Sequence, residues 1–94
     1  MLLTMNSDRM KKVVQTKTFQ RGMKKIHPNE KKVIDRIVRK VMSEPEQGDP
    51  KKGDLSGAYT VKFNMHGSQF RLMYEYDDQS VTLLRFGPRE GFYG

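Results

Sequence analysis

Residues 58–76 read AYTVKFNMHGSQFRLMYEY, two runs that alternate large apolar side chains with others on either side of His66-Gly67. A period of two is the pattern of a half-buried strand, and a two-residue break carrying glycine is a hairpin signal. With His66 and Gly67 as the turn, Lys62 lies opposite Arg71, Phe63 opposite Phe70 and Met65 opposite Ser68. Tyr59, Val61, Phe63, Phe70, Leu72 and Tyr74 then share an apolar face, and Thr60, Lys62, Asn64, Gln69, Arg71, Met73 and Glu75 share the other. Asp77-Asp78 signals a second turn, after which SVTLLRF (80–86) reads as a third strand. A tight turn there pairs Arg71 with Leu84, adding Val81 and Leu83 to the apolar face and Thr82, Leu84 and Phe86 to the polar one. A turn two residues longer keeps these faces; an odd change exchanges them.

The first half supplies what covers the apolar face. KKVVQTKTF is rich in β-branched residues and predicts a strand over about residues 12–18. Phe19, Met23 and Ile26 then recur at helical spacing until Pro28, in a short helix weakened by Gly22. Beyond Pro28, which suits a first-turn position, Val33, Ile34, Ile37, Val38, Val41 and Met42 form one apolar stripe, with Lys31, Lys32, Asp35, Arg36, Arg39 and Lys40 behind it. SEPEQGDPKKGDLSG, with its prolines and glycines, reads as a loop. The expected fold is α+β: an N-terminal strand, two helices and a three-stranded antiparallel meander, with both helices on one sheet face. Residues 12–94 form a single domain in this reading, preceded by a flexible extension over 1–11.

The chain has 94 residues, a length that fits one domain. Cysteine is absent, which excludes disulfides and thiolate metal sites and fits the cytosol. MLLTM is too short for a signal-peptide core, no apolar run reaches membrane-spanning length, and two histidines without acidic neighbours predict no metal site or cofactor. Net charge is +7, concentrated in residues 9–40, where twelve Lys/Arg face only Glu30 and Asp35. Such a field attracts nucleic acid, an anionic surface or an acidic protein.

Lys62 opposite Arg71 is the anomaly of the polar face, because like charges directly opposite on a sheet repel. Paired cations of this kind suit a phosphate, for which arginine supplies a bidentate fork. FGPREGFY (86–93) adds Arg89 at the sheet edge and Tyr93, whose phenol can stack on a base or exchange a proton, while Phe92 is expected to close the core.

The order of elements, together with GDLSGAYTVKF, FRLMYEYDD and FGPREGFY, resembles the RelE/ParE superfamily of bacterial type II toxin-antitoxin toxins over nearly all of the chain after residue 12. In the RelE-like branch the resemblance implies a metal-independent mRNA endonuclease, an mRNA interferase acting on the ribosome, in which the ribose 2′-hydroxyl attacks the adjacent phosphate. It implies Lys62, Arg71, Arg89 and Tyr93 as catalytic residues, with Arg71 and Arg89 clamping the phosphate and Lys62 assisting or sharing proton transfer with Tyr93. Asn64, Gln69, Lys31, Lys32 and Arg36 are expected to bind substrate, the helix residues through ribosomal RNA. The expected partners are a cognate acidic antitoxin, mRNA and the ribosome, and no membrane. Thr60 stands where RelE has its first lysine, and the stretch from Lys62 to Arg71 is two residues longer. His66 lies in the turn, and its role stays open: several relatives use histidines as general acid or base, whereas a turn histidine is more often merely solvated and this one is distant from Arg71. His27, before Pro28, is read as a helix-boundary residue with no role. Two other readings stay open: a ParE-like inhibitor of DNA gyrase, and a non-catalytic module that binds RNA or an antitoxin.

Overall fold

In the computed structural model, which describes residues 11–90 and Phe92, the hairpin closes in the predicted register: Lys62 pairs with Arg71, and Phe63 with Phe70. β3 (Tyr59–Met65) and β4 (Ser68–Tyr76) are joined by His66 and Gly67. Both turn residues have positive φ, 55° and 74°, the left-handed conformation whose twist matches the flanking strands. Around this hairpin stand β1 (Lys12–Gln15), α1 (Lys17–Lys24), α2 (Pro28–Ser43), β2 (Asp49–Pro50) and β5 (Ser80–Pro88). The sheet order is β1-β5-β4-β3-β2; β1 runs parallel to β5 and the remaining pairs are antiparallel. The α+β architecture with both helices on one face is therefore as expected, with one strand more than predicted. No helix among the described residues is long and apolar enough to cross a membrane.

β1 stops at Gln15, short of the predicted residue 18, because Thr16 starts a helix instead. Its hydroxyl accepts the Phe19 N–H at 3.1 Å, satisfying one of the donors that a helix N-terminus leaves open. α2 begins with Pro28 at its first turn, and the Glu30 carboxylate accepts the N–H of His27 at 2.7 Å. The apolar stripes of both helices, with Phe19, Ile34 and Val41 fully buried, pack on Phe63, Met65, Leu72, Tyr74, Val81 and Leu83. Burying one such side chain contributes about 1.5–3 kcal/mol. The segment predicted as loop holds β2 and two short 3-10 turns, Pro45–Gln47 and Gly53–Leu55. It is tied down by the Tyr74 hydroxyl, which donates to the Pro45 carbonyl at 2.5 Å. Of the extension expected over 1–11, residues 1–10 lie outside the described residues; Lys11 donates to the Asp77 carbonyl and sits over the Tyr76 ring.

The third strand departs from prediction in two steps. The turn after β4 is two residues longer, with the Asp77 carboxylate accepting the N–H groups of Gln79 and Ser80, so Tyr76 pairs with Val81 and the faces are kept. Tyr74 then pairs with Leu83 but Met73 with Arg85, leaving Leu84 as the extra residue of a β-bulge. Beyond it the faces exchange. Phe86, predicted on the polar face, turns to the helices and meets Phe19 edge-on at 5.4 Å, while Arg85 and Gly87 come to the outer face. Gly22 fits this arrangement, since a Cβ there would lie 3.0 Å from the Phe86 ring. Thr16 secures the bulge as well as the helix: its hydroxyl donates to the Leu84 carbonyl at 2.7 Å.

Candidate nucleic-acid interface

On the sheet face away from the helices, the ladders set side chains in rows. Thr60, Met73 and Arg85 form one row, and Lys62, Arg71 and Gly87 the next. Asn64 and Gln69 follow, and the Arg89 N–H donates to the Gln69 carbonyl at 2.9 Å, which carries the β5 ladder one step beyond its end. Arg71 thus faces Lys62 on one side and a residue with no side chain on the other. Arg85 and Arg89, two residues before and after Gly87, are its diagonal neighbours, a relation that separates backbones by about 7–8 Å. Arg71 and Arg85 are half-buried; Lys62 and Arg89 are exposed. Glu75 lies four residues along β4 from Arg71, about 13 Å at the usual strand rise, with Met73 between them. The repulsion expected between Lys62 and Arg71 is therefore extended by two further guanidinium groups.

The upper part of the same face is not polar. Ala58, Met73 and Phe92 form a second small core with Leu84 packed against it. Phe92, expected to close the main core, instead lies on the outer side, 4% exposed, and a Cβ on Gly87 would touch its ring at 3.6 Å. The Arg85 guanidinium stacks over that ring, 4.5 Å from its centre. Thr60 is 1% exposed and its hydroxyl has no hydrogen-bond partner, so the position where a further lysine was considered is sealed from any ligand.

Of the sequence-derived site residues, the fold gathers Lys62, Arg71 and Arg89, with Asn64 and Gln69 in the adjoining row. Tyr93 lies outside the described residues. Lys31, Lys32 and Arg36 are exposed on the back of α2, across the sheet from Arg71 and not part of the same surface. His66 turns to the helix side, its Nε2 2.7 Å from Glu30 Oε2. The His27 N–H, and then His66, hold the Glu30 carboxyl below its usual range. Arg85 is the residue missed: a regular ladder through Leu84 puts it on the helix side, and only the bulge brings it to the outer face.

Residues 13–94 match the model of a family described as the ParE-like toxin of type II bacterial toxin-antitoxin systems. The chain belongs to that family. Among solved structures, it is similar to a chain of the toxin-antitoxin complex RelBE2 from Mycobacterium tuberculosis, at 26% identity over 84% of this chain and 91% of that one, with a TM-score of 0.62. A mutant of the Escherichia coli toxin RelE in the free state shares the fold at 15% identity and a TM-score of 0.69, covering 89% of this chain and 88% of its own. The E. coli RelBE toxin-antitoxin complex gives 17% identity and 0.66, over 85% and 98%. No curated protein sequence matches the toxin.

Proposed function

We propose that this toxin is a metal-independent endoribonuclease that cuts mRNA on the ribosome and is held inactive by an acidic antitoxin. The observation that supports this reading is the convergence of Lys62, Arg71, Arg85 and Arg89 on one sheet face around Gly87, in rows one residue pair apart. In the proposed reaction the ribose 2′-oxygen attacks the adjacent phosphorus, the 2′ proton passes to a base, the bond to the 5′-oxygen breaks, and that oxygen takes a proton as it leaves. A 2′,3′-cyclic phosphate remains. Charge builds on the non-bridging oxygens, and preorganised guanidinium groups stabilise it more than water does. Half-buried Arg71, at the centre of the cluster, is assigned this clamp together with Arg89. Lys62 and Tyr93 are assigned to proton transfer, Asn64 and Gln69 to the neighbouring nucleotide. Lys31, Lys32 and Arg36 are assigned to ribosomal RNA phosphates across the sheet, an attraction that salt weakens steeply. An antitoxin of negative charge complements both surfaces.

Inducible expression of wild type and Arg71→Ala, with growth followed and RNA ends mapped, tests the proposal. Wild type arrests growth and leaves cuts ending in 2′,3′-cyclic phosphate, and Arg71→Ala loses both. The ParE-like family match favours a second reading, inhibition of DNA gyrase. Arrest with intact transcripts and loss of negative supercoiling establishes that reading and overturns the first.

A further inference from the structure

Arg85 is an unexpected occupant of the outer face. It arrives there because Leu84 is held out of the ladder, and a bulge beside a functional surface commonly serves to re-aim a side chain. Arginine has a long, flexible side chain, yet this one is half-buried, with its guanidinium carbon over the Phe92 ring, 4.5 Å from the centre. Phe92 is itself wedged against Met73, Ala58 and the bare backbone of Gly87. A cation–π contact of this kind uses none of the guanidinium N–H groups as a hydrogen bond to an oxygen, so they remain donors for an acceptor. Glu90 borders the same depression, a cavity of about 340 Å³ that also touches Thr18 and Pro88, but it makes no ion pair with Arg85. Arg85 is diagonal to Arg71, about 7–8 Å away along the ladder and on the side opposite Arg89, so a strand whose reacting phosphate is clamped by Arg71 and Arg89 can bring its next phosphate to Arg85.

We infer that Arg85 binds a backbone phosphate of RNA next to the one held by Arg71, and that Phe92 acts through it as a positioning residue. This rests on the endoribonuclease reading for its ligand but not for its geometry. The role differs in kind from that of Arg71. A grip on a neighbouring, unreacting phosphate holds substrate and transition state equally, so its loss raises KM and leaves kcat nearly unchanged. Loss of Arg71 lowers kcat.

The test uses a 2′-O-methyl RNA oligonucleotide, which binds but has no attacking hydroxyl, with affinity measured by fluorescence anisotropy from 50 to 200 mM salt, beside cleavage of an unmodified mRNA on ribosomes. Arg85→Ala lowers affinity roughly 10-fold, as for one charge-assisted contact, and flattens the salt slope by about 0.7, the counterion release of one single-strand phosphate contact. Arg85→Lys keeps the slope and recovers part of the affinity. Phe92→Leu, which keeps an apolar side chain, lowers affinity without flattening the slope, and Phe92→Tyr restores it. Thermal melts of each variant separate these effects from misfolding. Wild-type slope and KM in Arg85→Ala, with wild type cutting RNA, overturn the inference and leave the nuclease reading intact. A flattened slope in a wild-type protein background that binds but never cuts does the reverse. A wild type that binds no oligonucleotide and cuts no mRNA on ribosomes overturns both.

Discussion

Thr16→Ala removes one oxygen that serves two elements. Its hydroxyl accepts the Phe19 N–H that opens α1 and donates to the Leu84 carbonyl of the bulge, at 3.1 and 2.7 Å. Loss of an N-cap of this kind costs about 1 kcal/mol. The second hydrogen bond is worth about 1 kcal/mol more, because the Leu84 carbonyl is half-buried and water replaces the hydroxyl poorly. The expected loss is about 2 kcal/mol, which for a domain of this size lowers Tm by roughly 8–16 °C. Thr16→Ser keeps both bonds and stays within about 0.5 kcal/mol of wild type, since substitutions that spare such contacts have small effects. Thermal melts and urea titrations measure both. Because the bulge aims Arg85, Thr16→Ala and Arg85→Ala are also expected to couple in RNA affinity, so that the second substitution costs less in the presence of the first. An alanine variant that melts within 2 °C of wild type, or a serine variant as unstable as the alanine, refutes the reasoning.

Three further outcomes are expected. Gly48→Ala places a Cβ 2.2 Å from the Tyr74 hydroxyl and 3.2 Å from the Thr60 carbonyl, so it destabilises by about 1–3 kcal/mol, and the cost falls when Tyr74→Phe is combined with it; urea midpoints decide, and equal costs in both backgrounds contradict the clash. Tyr74→Phe loses the bond to Pro45 and about 1 kcal/mol at neutral pH. Burial pushes the Tyr74 phenol up to about 12, so the stability it lends is complete below its ordinary value of 10.0 and is lost as pH rises through about 12. Wild type therefore weakens across that window more than Tyr74→Phe, and identical alkaline limbs exclude this cause. Glu30 runs the other way: held below the usual carboxylate range, its contribution is present above that range and disappears as pH falls through its folded value. Glu30→Gln should then be less stable than wild type at pH 7 and closer to it at pH 3, and a gap that does not change with pH argues against the assignment.

What could be read in advance follows the range over which each feature is determined. The β3–β4 hairpin rests on alternation and a two-residue turn, both local, and its register was legible pair by pair. The stripe of α2 was equally plain, with Ile34 and Val41 buried at its centre. The bulge was not, because Leu84 is held by a hydroxyl 68 positions away in the chain. That one displacement moved Phe86 to the core and Arg85 to the surface, so three of the four gathered cations could be named from sequence and the fourth could not. The segment after α2 looked like loop because its order comes from Tyr74, 29 residues further on. Charge pattern marked Lys31, Lys32 and Arg36 as binding candidates but carried no information on which side of the sheet they would stand.

The sheet divides the positive charge into two opposed populations. Lys17, Arg21, Lys24, Lys31, Lys32, Arg36, Arg39 and Lys40 are exposed on the helices, and Lys62, Arg71, Arg85 and Arg89 lie beyond the strands. A long-range field of one sign on both flanks can draw the molecule toward a polyanion, but it cannot tell it which way round to land. Orientation must then come from short-range fit: the forked guanidinium groups, the bare patch at Gly87 and the ring beside it. It also means that an acidic chain wrapped over one flank leaves the opposite one charged, so a blocked toxin would keep a positive field on its free side.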